Sequence, residues 1–165
     1  MVNEMQFGDQ SSFSIEIQPS DLKGQCHLVF IANGVEIGRR DEYTLLSGCL
    51  NWSRDFLAHS GERVATASPS ESPAQIMARI YDVLYAKPDS MSWEETGRLR
   101  RIHHMDSLGM ESLRDKVSLV LVQIGTEADL LLWRVHPSEK VFSAVMPFGA
   151  VDRALREFVS SDLGA

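Results

Sequence analysis

The chain has 165 residues, 44% of them hydrophobic and 24% charged, with a formal net charge of −7. That length and apolar content suffice to bury a core without staples and argue against wholesale disorder. The acidity argues against direct nucleic-acid binding, which draws most of its affinity from a basic footprint; no run approaches the ~20 apolar residues of a membrane span, and no basic-then-apolar leader opens the sequence, so a cytoplasmic protein is expected.

Residues 13–18 (FSIEIQ) alternate apolar and polar as a half-buried strand does. Residues 25–32 (QCHLVFIA) form a second candidate strand, and Asn33-Gly34 follows it. That pair is a strong hairpin signal, because a type I′ turn needs positive φ at both central positions. Val35 to Gly38 begins the returning strand. From Thr44 to His59 the period becomes helical, with Leu45, Leu46, Cys49, Leu50, Ser53, Phe56 and Leu57 on one face and Gly61 as a terminator. Cys26 and Cys49 read as two buried thiols, too few for a disulfide framework and not spaced as a zinc site.

Residues 60–72 read as a loop. Ser72-Pro73-Ala74-Gln75 then combines a capping box with proline at the first helical position. It opens a helix to about Tyr85 that buries Ile76, Met77, Ile80, Tyr81 and Leu84. Ser92 with Glu95 can cap a short helix carrying Leu99 and Ile102, which Gly97 weakens. DSLGMESLRDK is a turn or a further short helix. Val117 to Ile124, a nearly continuous β-branched run, predicts a strand covered on both faces or central in a sheet. After GTEAD, Leu130 to His136 returns beside it, and Val141 to Val145 makes a third strand. An amphipathic helix follows Pro147, with Phe148, Val151, Leu155, Phe158 and Val159 inward.

This order predicts an α+β fold over a single domain, 1–165. Its sheet is mostly antiparallel, built from the N-terminal hairpin and three C-terminal strands, and packed with two central helices and a C-terminal helix.

The phosphate-loop, dinucleotide, serine-hydrolase and zinc-protease signatures are all absent from the sequence. One cluster invites chemistry: His103-His104-Met105-Asp106. Adjacent histidines point in different directions, so a metal there needs ligands from elsewhere, such as His136 or Glu111. The alternative is a polar, solvated surface segment beside Arg98, Arg100 and Arg101. His27 and His136 read as structural. No metal, cofactor or catalytic residue is expected, and the chain reads as a binding protein.

Candidate contact residues are aromatics beside acids. Asp41-Glu42-Tyr43 precede the first helix, Trp52 and Asp55 lie on its flank, and Asp89, Trp93, Glu94 and Glu95 surround the second capping box. Such groups suit a basic partner. They are equally explained as tryptophans finishing the core edge and acids favoured at helix starts.

Phe7-Gly8-Asp9, Phe13-Ser14-Ile15-Glu16, the strand ending in Asn33-Gly34, Ile37-Gly38 and the leucine-bearing helix from Leu45 resemble the opening of immunity protein family 42. Leu131-Leu132-Trp133, followed by a strand-to-helix C-terminus, fits that family's later half in order and length. The resemblance implies a small cytoplasmic protein, encoded beside a bacterial polymorphic toxin, that neutralises its cognate toxin by covering the active site. It carries over no catalytic residues. Many such toxins are nucleases with basic grooves, which an acidic protein suits. The first sixty residues hold eight acids and four basic residues, −4 of the total −7, so the first helix and the loop before it are the expected contact surface. Two other readings stay open: a chaperone or adaptor for a secreted protein, and an enzyme using His103–Asp106. The oligomeric state and the role of residues 89–115 are not specified by the sequence.

Overall fold

In a computed structural model, which describes residues 4–86, 88–106, 113 and 116–164, the N-terminal third is an antiparallel sheet. Strands β1 (Met5–Asp9), β2 (Phe13–Pro19), β3 (Gln25–Ala32) and β4 (Val35–Ile37) lie side by side in chain order, and the short β5 (Thr44–Leu45) pairs with the start of β3. The expected hairpin is there: Asn33 and Gly34 have φ of 48° and 77°. β1 and β5 were not anticipated, and Leu45, expected on the buried face of a helix, is an exposed strand residue.

The residues of the resembling motif Phe7-Gly8-Asp9 have separate structural duties. Phe7 packs on Phe158 with ring centroids 5.5 Å apart. Gly8 has φ of 88°, and a Cβ there would fall 2.5 Å from the Phe13 carbonyl and 2.6 Å from Ala154 Cβ. Asp9 closes the turn into β2 by accepting from the Ser11 backbone N–H and hydroxyl, both at 2.8 Å.

Helix α1 (Leu46–Ala58) buries Cys49, Leu50, Ser53 and Phe56. Cys26 and Cys49 are free, buried thiols, as expected. The stretch expected as a loop contains a 3-10 turn (Ser60–Arg63) and a bridge from Ala67 to Ile124. Next, α2 (Pro73–Met77) starts with both halves of the Ser72–Gln75 capping box in place. It continues through a π-helical turn (Ala78–Asp82) into α3 (Val83–Ala86). The Ser92–Glu95 box is also complete and opens α4 (Trp93–His103) despite Gly97. Most of DSLGMESLRDK lies outside the described residues.

The C-terminal strands, β6 (Val117–Ile124), β7 (Ala128–Val135) and β8 (Phe142–Pro147), form a second antiparallel sheet in that order. The fold is α+β with antiparallel strands at both ends of the chain, but those strands divide between two sheets. β6 is buried on both faces, one of the two arrangements its sequence allowed, but it lies at the edge of its sheet rather than at the centre. Leu119, Leu121, Leu131 and Trp133 join a core with Phe13, Ile15, Phe30, Phe56 and α5 (Ala150–Val159). Val120, Val122, Leu130 and Leu132, on the opposite face, pack against Ile76, Met77 and Ile80.

Two polar contacts fix how these layers meet. Asp129, fully buried, accepts from the Gly149 and Val151 backbone N–H groups at 3.1 and 3.2 Å, and so caps α5 from β7. Asn33 Nδ2, at the tip of the first sheet's hairpin, donates to the Val145 carbonyl on the outer strand of the second sheet, at 3.1 Å.

Candidate functional site

The second half of α1 and the C-terminal half of α4 enclose a groove of about 510 Å³ lined by Trp52, Asp55, Phe56, Ala58, His59, Arg100 and Arg101. Its floor is aromatic: the indole of Trp52 stacks on Phe56 with centroids 4.8 Å apart and planes 17° from parallel. Both lie on one helical face, four residues apart, where side chains meet. Asp55 is on the α1 rim, and Arg100 and Arg101 are on the α4 rim. All three are exposed, and their side chains have no hydrogen bond or ion pair among the described residues. Their neighbours are engaged: Glu62 receives Arg98 at 3.3 Å and His59 at 2.6 Å, which hold its carboxyl below the usual range.

Beneath the groove lies Arg63, fully buried. It donates to the Phe56 carbonyl at 3.1 Å, the Ile102 carbonyl at 3.0 Å and Asp152 Oδ1 at 2.6 Å. Its guanidinium also sits 4.1 Å from the Phe56 ring centroid. One side chain therefore joins the ends of α1 and α4 to α5 and sets the spacing of the groove walls. Nothing in its sequence context marked it, since it falls in the stretch read as a loop.

The other candidate contact residues divide. Trp93, first residue of α4, is 91% exposed, and Glu94 beside it is exposed and unpaired among the described residues, as is Asp89. Glu95 is committed to the capping box, and its bonds to Ser92 hold its carboxyl below the usual range. Asp41 is paired with Arg39 at 2.5 Å, and Glu42 with Lys116 at 3.3 Å. Tyr43 is 56% exposed and packs against His27, with centroids 4.2 Å apart and ring planes tilted by 41°. More of the N-terminal acidity is spent within the fold, since Arg40 is ringed by Glu4, Glu16 and Glu36. Trp52 and Asp55 come together with Arg100 and Arg101. Asp41, Glu42 and Tyr43 lie at the opposite end of α1.

The expectation of a solvated surface at His103–Asp106 is overturned, because His103, His104, Met105 and Asp106 are all buried. The chain leaving α4 pairs with the outer edge of β6, through the His104–Val120 bridge and the Met105 N–H to the Leu119 carbonyl at 2.9 Å. This sets His104 and Asp106 against the π-helical turn and Met105 into the core of the first sheet. His103 Nδ1 meets the Leu121 carbonyl at 2.9 Å, and His104 Nε2 the Ile80 carbonyl at 3.3 Å, so each ring nitrogen donates. Burial pushes both imidazoles down to about 4. Asp106 accepts from the Tyr81 hydroxyl at 2.8 Å, and the Tyr81 ring stacks on His104. No group of three or more His, Cys, Asp or Glu is arranged to hold a metal ion among the described residues. No helix among them is long and apolar enough to cross a membrane.

The family model for Immunity protein 42 matches residues 5–161, nearly the whole chain. The chain belongs to that family. No curated protein and no solved structure matches it. Membership gives the protein an immunity role and implies a toxin as its partner. In this member of the Immunity protein 42 family the motif residues of the first strands are packing and turn residues. The groove residues Arg100 and Arg101 come from the part of the chain to which the sequence assigned no role. Their signal was an arginine pair on a helix whose capping box was legible.

Proposed function

We propose that the chain binds a cognate protein toxin through the side that α1 and α4 share, and neutralises it by covering its active site or substrate groove. The observation that carries this reading is Trp93, an indole left 91% in water at the start of a well-capped helix. Tryptophan is among the residues that dominate binding energy at protein interfaces, and its exposure adds nothing to the fold.

The charge around it gives the partner's character. Asp55, Asp89 and Glu94 are exposed and unpaired among the described residues, and a net charge of −7 steers the chain toward a basic protein. A nuclease domain with a basic substrate groove fits that description. Trp52, Asp55, Asp89, Trp93 and Glu94 are the centre of the proposed contact. Asp41, Glu42, Tyr43 and Glu95 contribute at its margin, since Asp41 and Glu42 are already paired with Arg39 and Lys116, Glu95 is held in its capping box and Tyr43 lies against His27. The chain acts in the cytoplasm of the producing cell by binding alone, without turnover.

The test is co-expression with the toxin encoded beside it, scored for growth and for co-purification. Rescue of growth with a salt-sensitive complex is the expected result. A toxin that still kills while the chain is present in excess, or a complex indifferent to salt, would count against the proposal.

A further inference from the structure

We infer that the groove between α1 and α4 receives a carboxylate-bearing segment of the partner protein, the acid gripped by Arg100 and Arg101 and an adjoining apolar side chain laid on the Trp52–Phe56 stack. This rests on the partner-binding reading above and sharpens it, because it places a cationic anchor in an otherwise acidic protein.

The argument starts from how this fold treats its arginines. Arg39, Arg40, Arg63, Arg79, Arg98 and Arg134 each hold a carboxylate of the same chain, while Arg54 and Arg153 donate to Asn51 and to the Phe148 carbonyl, and Arg54, Arg153 and Arg156 lie outside the groove. Arg100 and Arg101 line a concave, aromatic-floored groove and hold none among the described residues. A guanidinium presents a planar fork matched to a carboxylate, and an aromatic floor lowers the hydration of whatever lies on it. Two unpaired forks on one rim therefore select an anion.

The backbone beside Arg101 leaves its side chain space. Gly97 is a poor residue for the middle of a helix. A Cβ there would lie 3.2 Å from Arg101 Nη1, so the glycine leaves room for the Arg101 guanidinium to lie back along α4. The opposite rim carries Asp55, which repels a second carboxylate and accepts an N–H donor. The groove thus reads a polarised segment, with its acid toward α4 and its amide donors toward α1. A volume of about 510 Å³ accommodates a few side chains, within the usual range of binding pockets.

The test uses two matched N-acetylated, C-amidated tetrapeptides, Leu-Asp-Glu-Leu and Leu-Asn-Gln-Leu, titrated into the full chain and followed by NMR. The acidic peptide is expected to shift the Trp52 indole N–H and the Arg100 and Arg101 Nε–H signals saturably. The neutral peptide should bind about tenfold more weakly, a difference of one decade in Kd. The double variant Arg100→Gln/Arg101→Gln should erase that preference while its melting temperature stays unchanged, both side chains being exposed and unpaired among the described residues. Equal binding of the two peptides, no binding of either, or an undiminished preference in the double variant would overturn the inference. Growth rescue reads the toxin proposal separately. Rescue together with failed peptides removes the carboxylate anchor and keeps neutralisation, whereas peptide preference without rescue keeps the anchor and removes the toxin.

Discussion

Arg63 and Asp152 are 89 residues apart in the chain and 2.6 Å apart in space, both shut away from water. Burial pushes the guanidinium down and the carboxyl up, each opposed by the charge of the other. The pair is stable as a unit and costly to split. Arg63→Met leaves Asp152 buried without its counter-charge and is expected to cost about 3–5 kcal/mol. Arg63→Met with Asp152→Leu removes both charges and should recover part of that loss, but not the hydrogen bonds to the Phe56 and Ile102 carbonyls. Urea unfolding of the single and double variants measures both quantities. A double variant no more stable than the single would show that the charges are not what binds the two residues.

The buried imidazoles of His103 and His104 give stability a defined pH dependence. Both titrate near 4 when folded, against about 6.5 in an unfolded chain. Their folded values are depressed, so between 6.5 and 4 the unfolded state binds protons that the folded state does not. Stability is therefore fully present above about pH 6.5 and falls as the pH drops, by up to about 1.4 kcal/mol per pH unit for each histidine. Denaturation midpoints at pH 7.5, 6.0 and 5.0 should decline in that order. His103→Gln should flatten the slope, and an unchanged slope would contradict it.

Gly8 is held by geometry that no side chain satisfies. Its positive φ and the 2.5 Å approach to the Phe13 carbonyl put Gly8→Ala at a cost of at least about 2 kcal/mol. The loss should appear as a lowered melting temperature and a displaced α5, read from the near-UV signal of the Phe7–Phe158 contact. Gly34→Ala, with nothing within 4 Å of its added carbon, is the milder comparison and should cost less.

Trp93→Ala separates binding from folding. The side chain is 91% exposed, so stability should change by less than about 0.5 kcal/mol. Toxin affinity should fall by about 2 kcal/mol or more, the loss expected of an interface hot spot. Calorimetric melting beside a binding titration distinguishes the two. A variant that melts normally and binds normally would place the contact elsewhere.

What could be read in the sequence was local chemistry. Asn33-Gly34, the boxes at Ser72–Gln75 and Ser92–Glu95, and the β-branched run of β6 each encode their own conformation within a few residues. What escaped depended on partners far along the chain. β1 has only Met5 and Phe7 as apolar markers and becomes a strand because β2 and α5 enclose it. Leu45 leaves the helix pattern because Gln25 pairs with it. His103–Asp106 looked polar and therefore exposed, until the edge of β6 drew it in. The candidate site divides in the same way. Trp52 and Asp55 were visible as a flank, whereas only the crossing of α1 and α4, fixed by an unheralded Arg63, brings them opposite Arg100 and Arg101.

The single hydrogen bond from Asn33 to the Val145 carbonyl has a consequence for the protein's life before it meets a partner. The outer strand of a sheet is where one molecule can recruit another by backbone pairing. Here one of its outward acceptors is already taken by an amide from the opposite sheet, and Pro147 ends the strand without a donor. The turn that closes the first hairpin thus occupies one of the positions through which a second copy would have to pair with that edge.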